Sequence, residues 1–126
     1  IYASSLPDAE GKNDTVNINI SFANGSSGVV AYYANGPKSL PKEYIEVFRS
    51  GAAGILDNFR KVEIFGKKKI TKKFFNQDKG QKQMVEGFLK GIHEGRSLIP
   101  FDETIAVTRA SFAVLESIKT GQPVKI

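Results

Sequence analysis

The chain has 126 residues, 40% apolar and 25% charged, with a net charge of +5. Such a length can bury one core without covalent staples, and the composition is that of a globular protein rather than a disordered one. There is no cysteine and one histidine, which excludes a disulfide framework, thiolate chemistry and a zinc site of the usual ligand types, and no apolar run approaches the roughly 20 residues of a membrane span.

Residues 1–13 read as a lead-in. Ile1-Tyr2-Ala3 resembles the tail of a strand, and Pro7-Asp8 with Gly11-Lys12-Asn13-Asp14 is turn chemistry, so a surface loop is expected. The chain opens without Met and without the basic and apolar regions of a signal peptide, so a fragment of a longer cytoplasmic protein is expected. The sequons at Asn13-Asp14-Thr15 and Asn24-Gly25-Ser26 are a frequent chance match and are discounted on the same ground.

The strongest local signal follows. Val16, Ile18, Ile20 and Phe22 alternate with Thr15, Asn17, Asn19 and Ser21, and Gly28 to Tyr33 is largely apolar and β-favouring. Asn24-Gly25 between them suits a type I′ turn, with positive φ at both central positions. A hairpin with strands over 14–23 and 26–34 is predicted. Asn35-Gly36-Pro37 then breaks the pattern, and a loop runs to Pro41.

Four more strands are predicted, over 43–48, 53–56, 60–65 and 70–75, with turns at Ser50-Gly51, Asp57-Asn58 and Gly66. Their short spacing favours antiparallel pairing, because parallel strands need long crossovers. The period then becomes helical. Val85, Phe88, Leu89 and Ile92 form one stripe, with Asn76 or Asp78 as N-cap and Gly95 as the C′ residue. Gly87 and Gly91 on this helix leave room for a close backbone approach. A second helix is expected from an N-cap at Asp102 to about Lys119, substantially buried through Ile105, Val107, Phe112, Val114, Leu115 and Ile118. Gly121 and Pro123 stop it, and Val124-Lys125-Ile126 is a terminal strand or extended tail. Strands first and helices last give an α+β fold: a mostly antiparallel open sheet of about six strands, with the two C-terminal helices packed on one face.

The usual catalytic constellations are absent from the sequence. Asn24-Gly25-Ser26-Ser27-Gly28 is Gly-rich but joins two strands, so it reads as a turn and not a phosphate loop. His93 reads as a residue favoured by a helix C-terminus, and Glu43, Glu46 and Asp57 as surface charges facing Lys42, Arg49 or Arg60. The lysines between Arg60 and Lys82 could attract a polyanion, but a solvated edge strand kept from pairing by lysines is the favoured reading, and no nucleic-acid partner is expected. Two places stand out for a ligand. One is the loop Tyr33 to Ser39, dense in hydrogen-bonding groups. The other is Asn76 to Lys82, where Lys79 lies near a helix start suited to anionic or polyhydroxyl ligands.

The order of several short stretches is similar to the C-terminal lobe of the glucose–fructose oxidoreductase / inositol dehydrogenase (Gfo/Idh/MocA) family. These are Phe22-Ala23-Asn24-Gly25-Ser26 with Gly28, then Pro41-Lys42-Glu43 with Ile45-Glu46-Val47, then Gly51 with Gly54-Ile55-Leu56-Asp57. Val85-Glu86-Gly87-Phe88, Ile99-Pro100-Phe101-Asp102-Glu103 and Thr120-Gly121-Gln122-Pro123-Val124 continue it, so the resemblance covers nearly all of residues 14–126. It implies a substrate-side and oligomerisation lobe of an NAD(P)-dependent oxidoreductase acting on a sugar or polyol derivative. It further implies that residues 1–126 form one domain whose N-terminal Rossmann partner, with the NAD or NADP site, lies elsewhere. The family's Gly-rich fingerprint, Lys-Pro pair and Asp-x-x-x-His are missing, so this chain alone is expected to be inactive and to hold no cofactor, catalytic residue or metal.

Asn35 and Lys38 match the family's substrate-contacting loop, and Gln81 falls near the position that opens its penultimate helix. Glutamine there can orient a hydroxyl but cannot act as an acid or base. With Lys79 these are the candidate substrate-binding residues. Ala31, Tyr33, Tyr44, Phe48 and Ile55 are candidates for the sheet face that meets another subunit. The competing readings are a stand-alone dimeric interaction domain and a polyanion-binding module using the lysine-rich strand.

Overall fold

The computed structural model describes residues 1–7, 10–12 and 14–126. The turn expected around Pro7-Asp8 and the sequon at Asn13 lie partly outside the described residues. Among the described residues, seven antiparallel strands precede two helices, so the fold is α+β. The strands form two sheets, of three and four strands, where one sheet of about six was expected. The chain divides into two compact units, residues 1–36 with 97–126 and residues 37–96.

The first unit contains β1 (Tyr2–Ser5), β2 (Thr15–Ser21) and β3 (Ser27–Tyr33), in that order across the sheet. The lead-in therefore contributes a full strand, where the sequence suggested only the tail of one. Residues directly opposed in an antiparallel pair share a face. Ala3 opposes Ile18 and Ser5 opposes Val16, so Ala3, Val16 and Ile18 line one face, and Ala3 and Val16 are buried. Ser4 opposes Asn17, and Thr15 opposes Tyr33, which puts those four on the other face.

The β2–β3 hairpin forms as expected, but its turn differs. Gly25 has φ 83° while Asn24 does not have positive φ, and the Gly25 N–H donates to the Phe22 carbonyl. The loop has three residues between Phe22 and Ser26, whose backbones are hydrogen-bonded, and it needs one left-handed residue at its end. The Asn24 side chain is used instead to accept from the Ser26 N–H. True pairs of positive φ occur at Ser50-Gly51 and Asn58-Phe59, in the tight turns of the other sheet.

Helix α2 (Phe101–Thr120) contacts β1. It is capped at Pro100 and not at Asp102, which lies with Glu103 in the first turn, where negative charge suits the helix dipole. Its end is as expected, with Gly121 left-handed at φ 68° and its N–H bonded to Ser117 O. The Ser117 side chain is fully buried. Its Oγ accepts from the Ala3 N–H at 2.9 Å and donates to the Gln122 carbonyl at 2.7 Å. Ile1 and Val124 then exchange two backbone hydrogen bonds of 2.7 Å, so the C-terminal residues run extended beside the N-terminus.

The second unit contains β4 (Tyr44–Arg49), β5 (Ala52–Asp57), β6 (Lys61–Phe65) and β7 (Ile70–Lys73), paired in chain order, and α1 (Gln81–Glu94). Of the five residues expected on one sheet face, Ala31 and Tyr33 lie on the three-stranded sheet, while Tyr44, Phe48 and Ile55 share a face of this one with Glu46, Asp57 and Glu63. The opposite face carries Ile45, Val47, Leu56, Val62, Ile64 and Ile70 and is the more apolar. Helix α1 starts after Gly80, itself at φ 71°, and not after Asn76 or Asp78. Asp78 Oδ1 accepts from the Gly80 N–H and closes a small turn ahead of the helix.

Burial is the largest departure from expectation. Both helices form with their apolar stripes, yet Phe88, Ile92, Val107, Phe112 and Leu115 are all more than half exposed. Among the described residues the buried apolar side chains are Ala3, Val16 and Ala113. The chain exposes 10635 Å². Two separate compact proteins of these unit sizes would together expose only about 8,000 Å². Helical and strand periodicity fix which residues share a face, but burial also requires a surface to cover that face.

Replacing Ser117 by Ala strands the Ala3 N–H and the Gln122 carbonyl. It should lower stability by about 1–3 kcal/mol, read as a fall in the urea midpoint of the first unit.

Candidate functional site

A shallow pocket of about 380 Å³ opens in the first unit. Ser4, Thr15, Asn17 and Tyr33, which share the sheet face opposite to buried Ala3 and Val16, line it. Ser5 and Leu6 at the end of β1, and Asn35 just after β3, complete it. Pairing of Thr15 with Tyr33 sets the position of the tyrosine ring, and the Tyr33 hydroxyl donates to Asn17 Oδ1 at 2.7 Å. The Gly36 N–H donates to the Tyr33 carbonyl, and this turn carries Asn35 to the rim. Among the described residues, none of the lining side chains is charged.

Of the four candidate substrate residues, Asn35 lines this pocket. Lys38 lies in the exposed turn closed by the Leu40 N–H to the Pro37 carbonyl, in the second unit. Gln81 is the first residue of α1, and Lys79 precedes the helix. Lys79 is committed within its own unit: its Nζ lies 2.6 Å from Glu43 Oε1 and 5.4 Å from the centre of the Phe59 ring. Gln77 Nε2 donates to both the carbonyl and Oδ1 of Asn58, at 3.1 and 2.6 Å, so residues 77–79 are clasped to the β5–β6 turn. Glu43, read as facing Lys42, Arg49 or Arg60, has Lys79 as its partner. Glu46 instead accepts from the Tyr44 hydroxyl, which raises the pKa of that tyrosine. His93 lies in the exposed last turn of α1.

Sequence reading missed Ser4, Thr15 and Asn17 as pocket residues. The alternation at Thr15 and Asn17 was visible, but their meeting with Ser4 depends on β1 pairing with β2, and that pairing is long-range.

The lysine-rich region resolves into two kinds of residue. Lys61 and Lys69 both bind Glu63, at 2.6 and 2.9 Å. Their ammonium groups, Lys61 first, hold the Glu63 carboxyl down at about 2. Lys72 and Lys73 lie on β7, an edge of the four-stranded sheet, where lysines discourage pairing with another chain. Lys72 also covers the Phe74 ring at 4.9 Å. Among the described residues, no group of three or more acidic, histidine or cysteine side chains could hold a metal ion, and no helix is long and apolar enough to cross a membrane.

No family model, curated protein or solved structure matches the chain.

Two measurements check these contacts. Lys79→Ala removes an ionic hydrogen bond and a cation–ring contact, and should destabilise the second unit by roughly 1 kcal/mol. A cycle with Glu43→Gln should show that the two changes are not additive. For Glu63 the folded value lies below the ordinary one. Its contribution is therefore present above about pH 4.5 and is lost as pH falls toward 2. Glu63→Gln should flatten that part of the acid limb in urea midpoints measured across pH.

Proposed function

We propose that this chain is the substrate-side and oligomerisation lobe of an NAD(P)-dependent oxidoreductase acting on a sugar or polyol derivative in the cytoplasm. The observation that carries the reading is Asn35. The loop residue assigned to substrate by the resemblance lies in a pocket lined by hydroxyls and amides, the groups that recognise a polyol. Lys38 and Gln81 belong to the second unit, where both are exposed and have no side-chain hydrogen bond or ion pair among the described residues. The uncovered apolar faces support the second half of the reading. A lobe that works against a nucleotide-binding domain and against further copies of itself has reason to present Tyr44, Val47, Phe48, Val85 and Phe88 outward. The nicotinamide chemistry and the proton transfers would then come from the nucleotide-binding domain, with this chain orienting hydroxyls.

The polyanion reading is the weaker alternative, because Lys61 and Lys69 are paired with Glu63 and the β7 lysines have a reason to stand on a sheet edge.

Calorimetric titration of the isolated chain with NAD and NADP tests the division of labour. The expected result is no saturable heat, whereas binding in the micromolar range would overturn it. Retention on heparin that collapses steeply with salt would favour the polyanion alternative.

A further inference from the structure

We propose that Asn35-Gly36 is a site of spontaneous covalent modification, at which the Asn35 side-chain amide is converted to a carboxylate on the rim of the pocket. The inference stands apart from the oxidoreductase reading, because it rests on the backbone chemistry of two turns.

The reaction is an internal acyl transfer. The Gly36 backbone nitrogen attacks Cγ of Asn35, and its proton passes to solvent base. The new N–Cγ bond closes a succinimide ring, the Cγ–Nδ2 bond breaks, and ammonia leaves with a proton from solvent. Water then opens the ring at either carbonyl, giving aspartate or isoaspartate, and no oxidant or cofactor takes part. Attack within one chain replaces an encounter in solution, so the rate follows how freely the nitrogen and the carbonyl carbon can meet. Glycine on the C-terminal side favours it, since no Cβ crowds the nitrogen and the backbone reaches conformations closed to other residues.

The sequence contains this pair twice, at Asn24-Gly25 and Asn35-Gly36. The two turns are alike in outline. In each, the glycine N–H closes the turn by donating to the carbonyl three residues earlier, Gly25 to Phe22 at 3.0 Å and Gly36 to Tyr33 at 3.3 Å. They differ in what holds the asparagine. Asn24 Oδ1 accepts from the Ser26 N–H at 3.0 Å, and behind it the Phe22 N–H donates to the Ser26 carbonyl at 2.9 Å. Asn35 is exposed, and its side chain makes no hydrogen bond among the described residues. The residue after Gly36 is Pro37, which has no N–H with which to continue a ladder. Nucleophile and electrophile are therefore both tied at Asn24, whereas at Asn35 only the nitrogen is held, by the longer bond.

Position gives the product its effect. Asn35 lines the pocket with Ser4, Thr15, Asn17 and Tyr33. Aspartate there replaces an amide that donates and accepts by a charged group that only accepts, and isoaspartate also lengthens the main chain at the rim. An aged molecule thus differs from a new one in the charge of its pocket wall.

The test is incubation of the folded chain at neutral pH and body temperature, followed by peptide mapping with mass spectrometry. Succinimide, aspartate and isoaspartate should accumulate at residue 35 about tenfold faster than at residue 24. In concentrated urea both turns are lost and the two rates should converge. Gly36→Ala should block conversion at residue 35 and leave Asn24 unchanged. Gly36 does not have positive φ, and an added Cβ finds the Tyr33 carbonyl at 3.4 Å, so the variant tests the chemistry without demanding a strained backbone. Conversion at Asn24 as fast as at Asn35 in the folded chain would overturn the inference. So would no conversion at Asn35, or a difference between the two sites that survives in urea.

Discussion

The Ser117 hydroxyl joins three segments distant in sequence: the first strand, the last turns of α2 and the residues that follow the helix. A serine with no solvent exposure is tolerated because it both accepts and donates there, leaving nothing unsatisfied. Its bond to the Ala3 N–H fixes the outer edge of β1 while β2 occupies the inner edge. With β1 held in this register, Ala3 and Val16 turn to the buried face, and Ser4 and Asn17 to the face that forms the pocket. The polar site thus depends on a contact on the opposite side of the strand from β2.

The second unit is held differently. Its four strands run in chain order through tight turns, two of which place non-glycine residues at positive φ. Phe59 at φ 52° costs about 1–2 kcal/mol relative to an ordinary backbone conformation. The clasp formed by Lys79, Glu43, Gln77 and Asn58 surrounds that turn and offsets part of the cost. The same clasp removes Lys79 from the pool of free cations. A lysine that looks like a ligand-binding residue in the sequence is therefore a brace in the fold.

The contrast between what was legible and what was not follows from the range of the forces involved. The Asn24-Gly25 hairpin, the glycine ends of both helices at Gly95 and Gly121, and the lysine-guarded edge are local, and the residues that encode them are neighbours. Helix starts were misplaced because Gly80 and Pro100 satisfy the start by backbone conformation, while Asp78 and Asp102 are used in adjacent roles. The split into two sheets and the participation of Tyr2–Ser5 depend on pairing across long stretches of chain, which periodicity does not carry. Asn35 was legible from its loop and from the family resemblance. Its pocket companions Ser4 and Asn17 were not, since only the β1–β2 register brings them together.

Apolar stripes on α1 and α2 and the Ile45, Val47, Ile64, Ile70 face of the second sheet remain largely in contact with solvent. Exposed apolar surface on this scale favours association, and the proposed oligomerisation lobe would have these faces covered by other protein. Light scattering coupled to size-exclusion chromatography, with a parallel hydrophobic-dye titration, tests that expectation on the chain alone. The account expects either masses that are multiples of 13.8 kDa or strong dye binding by the monomer. A monodisperse 13.8 kDa monomer that binds no dye would contradict it.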